Sequence, residues 1–164
     1  MSLASLAEAL HVLSAFWFVG GLLGRAVAHA QARRALDVGD VEAADRLGSR
    51  FERLMVRPGS LVVLAIGLLT AWLQGWPTLG FLQGSPVNWV LASLVLLLSV
   101  IPLIPLVFLP RGRSFRAALE DAHAQGHVTP RLTAALTDRT VAAAHVYEWA
   151  VVVGIVALMV AKPF

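Results

Sequence analysis

Five ionisable side chains stand among apolar neighbours that leave them little water. His11, Arg25 and His29 lie in a first apolar stretch, and His145 and Glu148 in the last. Charged or titratable groups are expensive inside long apolar segments, so each marks either a site or a structural pair. His11, Ser14, Phe18, Gly21, Arg25 and His29 follow one another at three or four residues, which puts them on one helical stripe. His11 and His29 are separated by about five helical turns, roughly 27 Å along the axis. They therefore sit at opposite ends of their helix and cannot share one metal or one haem.

His145 and Glu148 are one turn apart, with Tyr147 and Trp149 beside them. Counting the helical rise from Asp138 places His145 and Arg25 in the same half of the molecule, with Glu148 near mid-depth. An Arg25–Glu148 pair between the first and last stretches is expected. It reads either as an ion pair that fixes helix register or as a site for an anionic or protonatable ligand. His29 and His145 are the two stretch histidines that share a half. They read either as a hydrogen-bonded bundle histidine beside an interfacial one, or as ligands of haem b or a metal. The candidate cofactor ligands are thus His11, His29 and His145.

Other reactive constellations are missing. The chain has no cysteine, so thiolate sites and disulfides are excluded. It contains no P-loop, no GxGxxG after a strand, no GxSxG and no HExxH. His123 and His127 are spaced i, i+4 in a polar segment and read as solvated. No nucleophile and base can be paired, so no catalytic residue and no metal site are assigned, and a non-enzyme is expected.

The elements that must position these groups are long apolar stretches at residues 6–30, 58–74, 87–109 and 139–161. Hydrophobic residues make up 58% of the chain and charged residues 14%, against about 25% charged in soluble domains. Each stretch approaches the roughly 20 helical residues that cross a bilayer. The expectation is one all-α membrane domain over residues 1–164, a bundle of four transmembrane helices in a bacterial plasma membrane.

Charge orients the bundle. Residues 31–57 hold Arg33, Arg34, Arg46, Arg50, Arg53 and Arg57, and residues 110–139 hold five more arginines; residues 75–86 hold no charge. The positive-inside rule makes both basic loops cytoplasmic and puts both termini outside, periplasmic or extracellular. Trp72, Trp76 and Trp89 then form an outer aromatic belt. With the arginines assigned to topology, the basic balance of the chain does not call for nucleic acid.

Local signals punctuate the stretches. Pro58 suits the first turn of the second span, and Ser85-Pro86 reads as the cap of the third. Pro102 and Pro105 should bend the third span and free carbonyls that neighbouring helices or water must satisfy. Residues 33–54 read as interfacial helical extensions broken at Gly39-Asp40. Thr129-Pro130 opens a short helix, and Thr137 or Asp138 caps the fourth span. Gly20, Gly21 and Gly24, with GxxxG running from Gly20 to Gly24, mark a face for close helix packing or oligomerisation.

The run LHVLSAFWFVGGLLGR at residues 10–25, with Arg57-Pro58-Gly59-Ser60 and Tyr147-Glu148-Trp149, resembles the uncharacterised integral membrane family called domain of unknown function 2269. That resemblance covers essentially the whole chain and implies four spans without an established activity. More distantly, His11, Trp17, Gly20 and Gly21 are similar to copper-resistance D-type membrane proteins and to the haem-associated oxidase of late porphyrin synthesis. The chain departs from these in lacking a third-span lysine and a methionine cluster. Three functions are consistent with the residues. The first is an accessory, scaffold or assembly component, alone with lipid, as a homo-oligomer or with a membrane-complex partner. The second is a haem b or metal-binding redox subunit. The third is a small transporter component with Arg25 and Glu148 lining a polar cavity.

Overall fold

Helices alone, with no strand, make up the regular structure in the computed structural model, which describes residues 2–86 and 88–163. The helices are α1 (Leu3–Arg34), α2 (Val38–Phe51), α3 (Arg57–Leu73), α4 (Trp89–Val100), α5 (Leu109–Gln125), α6 (Pro130–Leu136) and α7 (Arg139–Ala161). Four helical stretches are long and apolar enough to cross a membrane: Leu3–Arg34, Val38–Leu73, Trp89–Gln125 and Pro130–Ala161. The expected start of the third span, Val87, lies outside the described residues.

Each spanning helix packs chiefly on its neighbour in sequence, α1 on α3 and α4 on α7. The bundle is therefore two antiparallel hairpins set side by side. Small residues make the first hairpin close. A Cβ on Gly59 would lie 3.1 Å from the Phe18 backbone, and one on Gly48 would touch the Ala28 methyl at 3.4 Å. In lipid, where apolar burial drives little association, such close approach is the main source of helix contact. The second hairpin is tied by a 2.7 Å hydrogen bond between the Ser99 and Tyr147 hydroxyls.

Two π-turns, Glu52–Val56 and Ile104–Phe108, are explained by the prolines that follow them. Pro58 and Pro110 carry no N–H and would clash with the carbonyl four residues back. The chain inserts one extra residue instead: the Arg57 N–H donates to Glu52 O, and the Leu109 N–H to Ile104 O, each an i to i−5 bond. Helix α2 thus continues into α3 without a break.

Pro102 and Pro105 interrupt the third span, as their chemistry requires, but the freed carbonyls need neither water nor a neighbouring helix. The Ile101 N–H takes Leu98 O at 3.2 Å, and the Ile104 N–H takes Ile101 O at 3.1 Å. Tightening to i to i−3 bonds satisfies the very acceptors that the prolines abandon.

Two punctuation signals shift. The cap of α4 is Asn88, not Ser85: its Oδ1 accepts from the Leu91 N–H at 2.9 Å, and its Nδ2 donates to Pro77 O at 2.6 Å. The break in the first basic loop falls at residues 35–37, because Asp37 caps α2 by accepting from the Asp40 N–H at 2.8 Å; Gly39 and Asp40 lie inside the helix.

The basic loops form a folded cap. Val38 and Val41 of α2 meet Ala118, Leu119 and Ala122 of α5 and Leu132 of α6 in a buried apolar core. His123 Nε2 lies 3.0 Å from Glu42 Oε2, and Arg33 Nε donates to Leu136 O at 2.9 Å, closing the cap from both sides. Gly126, at φ 72°, ends α5 in the left-handed conformation that glycine adopts without a Cβ penalty. Thr129 is buried and accepts the Leu132 N–H at 3.2 Å, so it fixes the start of α6. Replacing it by alanine should cost about 1–2 kcal/mol, within the cap alone. Limited proteolysis should then cut residues 125–138 faster while the apolar helices stay protected; unchanged cleavage there would contradict a cap folded on its own core.

Candidate functional site

Where the first hairpin meets α7, next to the cap, lies a buried ionic cluster. Arg25 of α1 projects its guanidinium between two carboxylates. One terminal nitrogen donates to Glu52 Oε2 at 2.8 Å, and the other donates to Glu148 Oε2 of α7. The side chains of Arg25 and Glu148 are only 11% and 9% exposed, so the pair is desolvated. Arg57 Nε donates to the far oxygen of Glu52 at 3.2 Å and is itself well exposed. The two cations, Arg25 and Arg57, balance the two carboxylates, Glu52 and Glu148. That balance is what makes such burial tolerable in a low-dielectric setting.

The imidazole of His145 completes the cluster. Its Nδ1 is 3.3 Å from Glu148 Oε2 and 3.5 Å from the Arg25 guanidinium. Phe108 stacks on one side of the ring at 4.9 Å and 28°, and His29 lies on it at 5.4 Å and 43°. Both π-turns feed this place: one carries Glu52 and the other ends at Phe108. Such turns re-aim side chains and recur where a helix does more than span.

The glycines of α1 explain how Arg25 reaches Glu52. A Cβ on Gly21 would sit 2.6 Å from Met55 Cβ and 3.1 Å from the Val56 nitrogen; one on Gly24 would press against the edge of the Phe51 ring. The packing face therefore receives residues 51–56 of the same chain. At Gly21 and Gly24 it is covered from within the chain. Gly20 meets only the tip of Met55, at 3.5 Å.

The candidate residues divide by position. Arg25, His29, His145 and Glu148 come together; His11 lies at the other end of the bundle, against Gly67 of α3. Sequence reasoning passes over Glu52, Arg57 and Phe108. Glu52 is hidden among the charges of a basic loop, although the bulky Phe51 and Met55 around it are the partners that a glycine face requires.

The cluster holds charge and hydrogen bonds. Among the described residues no serine or threonine hydroxyl is hydrogen-bonded to it, and no three His, Asp or Glu side chains are placed to hold a metal ion. The His29 and His145 rings touch at a tilt, with Phe108 on His145 and its Nδ1 engaged, so no flat slot for a macrocycle opens between them. A cavity of about 400 Å³ at the other end of the bundle is lined by neither Arg25 nor Glu148.

One family model spans this whole arrangement. It is described as "Predicted integral membrane protein (DUF2269)" and matches residues 5–163. The chain belongs to the DUF2269 family. The match takes in all seven helices of this DUF2269 protein apart from the first residues of α1, including every member of the ionic cluster. No match is found among the curated proteins or the solved structures.

Proposed function

We propose that this DUF2269 protein is a non-enzymatic accessory or assembly component of a bacterial plasma membrane. The observation that carries the reading is the folded cap: the basic loops pack on their own apolar core, as a platform does and a linker does not. The ionic cluster fastens that platform to the spanning helices, since Glu52 lies at the junction of α2 and α3 while Arg25 and Glu148 belong to α1 and α7. The arginine bias of the cap supports a cytoplasmic face for it, with both termini outside.

Orientation is tested directly because the chain has no cysteine. A single cysteine replacing Ser2 should react with an impermeant maleimide on intact cells. One replacing exposed Ser114 should react only after permeabilisation. The opposite pattern overturns the topology.

The platform role is tested by a charge reversal on exposed arginines, Arg113→Glu with Arg131→Glu. Cross-linking in the membrane followed by mild extraction should recover the wild type in a stoichiometric complex, with a second protein or with itself, and the double variant alone. A wild-type chain that stays monomeric and unlinked sinks the platform reading. A reduced-minus-oxidised spectrum with a Soret band that disappears in His145→Ala would replace it with the redox one.

A further inference from the structure

At the end of the bundle opposite the ionic cluster, the two hairpins meet through Ala71, Trp89 and Val90 and border the cavity of about 400 Å³. Its walls come from all four spanning helices and are mainly aliphatic, Val12, Leu64, Leu94 and Ile155 among them. Three polar atoms on these walls are buried and have no hydrogen-bond partner: His11 Nδ1, Trp89 Nε1 and Ser93 Oγ. Trp89 and Ser93 are 8% and 6% exposed, so neither group reaches outside solvent.

Ser93 is the telling member. Helical hydroxyls in lipid ordinarily satisfy themselves by donating to a carbonyl of their own helix. Ser14, Ser99 and Thr70 all do so here, to His11 O, Leu96 O and Ile66 O. Ser93 does not, although it belongs to the same kind of helix. His11 is held just as deliberately. Its ring fills the notch at Gly67, where a Cβ would lie 2.8 Å from His11 Cε1. Three orphaned polar atoms on one apolar cavity describe a binding site whose polar partner is brought by the ligand.

The donor set narrows the ligand. An indole N–H only donates, so the ligand must present an acceptor. No arginine lines the cavity, and the charged residues there, Glu8 and Lys162, are of opposite sign, which favours a neutral head over a phosphate or carboxylate. Lys162 is also drawn over the Trp89 ring, with its Nζ 5.7 Å from the centroid. We infer that the cavity binds a neutral lipid whose head carries a carbonyl oxygen, received by Trp89 Nε1 and Ser93 Oγ, with His11 Nδ1 meeting a second polar atom of the head. Isoprenoid quinones and acyl glycerides both supply this chemistry. The site does not depend on the platform reading, which concerns the other end of the molecule.

The test uses the purified full-length chain in detergent, with thermal unfolding followed by circular dichroism. Decylubiquinone and dioctanoylglycerol are titrated separately. At least one should raise the unfolding midpoint saturably, and the one that does identifies the source. The concentration giving half the effect should rise about tenfold in Ser93→Ala and in Trp89→Phe, the loss of one hydrogen bond in each. Ser93→Ala removes an orphaned hydroxyl, so the variant should fold at least as well as the wild type without ligand. The inference is overturned if neither probe acts, or if both variants respond like the wild type. It is equally overturned if haemin binds with a Soret band that is lost in His11→Ala.

Discussion

Arg25→Met should destabilise the protein by about 3–5 kcal/mol, the cost of leaving buried carboxylates without their cation. In thermal unfolding this is a fall on the order of 10 °C for a chain of this size. The methionine keeps the apolar stem, so the loss reports the charge and its hydrogen bonds. Glu148→Gln should cost less, because the amide oxygen still accepts from Arg25 and His145, and Arg25 keeps Glu52. Glu52→Gln should cost least, about 1 kcal/mol, since its side chain is 28% exposed. The charge exchange Arg25→Glu with Glu148→Arg is the sharper measurement. A simple pair would be restored by it. Here the carboxylate moved to position 25 would face Glu52, so the exchange should recover less than half of the loss. Adding Glu52→Gln should recover more. Full recovery by the exchange alone would remove Glu52 from the cluster.

The sequence makes the spans legible because their signal is redundant. Length, apolarity and flanking charge agree, and residues 139–161 coincide with α7. The Arg25–Glu148 contact follows from depth counting, since a charge in an apolar helix has few places to find its opposite. Two features resist such reading. The cap core joins Val38 and Val41 to Ala118 and Leu132, small apolar residues scattered through polar segments about 80 positions apart. Neither segment alone says that the other will cover it. Glu52 is hidden by the π-turn, because one inserted residue rotates everything beyond it by about 100° relative to a regular helix. A helical wheel carried back from α3 therefore assigns it the wrong face, although its own N–H still bonds to Gly48 O as a continuation of α2. Residues 34–47 and 116–132 share an order of Arg and Leu, then Gly, then Arg-Leu, yet Gly39 lies inside α2 whereas Gly126 ends α5.

The glycine face gives the second large prediction, and it separates the motif from the geometry. GxxxG singles out Gly20 and Gly24. The contacts single out Gly21. A methyl group at Gly20 makes only an ordinary contact with the flexible end of Met55, so Gly20→Ala should be neutral or stabilising by about 0.5 kcal/mol through helix propensity. At Gly24 the obstacle is the Phe51 ring, which can turn aside, and alanine should cost about 1 kcal/mol. At Gly21 the obstacles are Met55 Cβ and the backbone nitrogen of Val56, which no rotamer change moves. Gly21→Ala should cost about 2 kcal/mol, and Gly21→Val about 3 kcal/mol or more, because α1 must part from the π-turn. That parting acts on the ionic cluster, since Arg25 stands one turn beyond Gly21 and Glu52 one turn before Val56. In a double-mutant cycle the coupling between Arg25 and Glu52 should therefore fall in a Gly21→Ala background and persist in a Gly20→Ala background. Equal coupling in the two backgrounds would mean that the glycine face and the ion pair are independent. Loss of coupling only in the former would establish that close helix approach at Gly21 is what delivers the guanidinium to its second carboxylate.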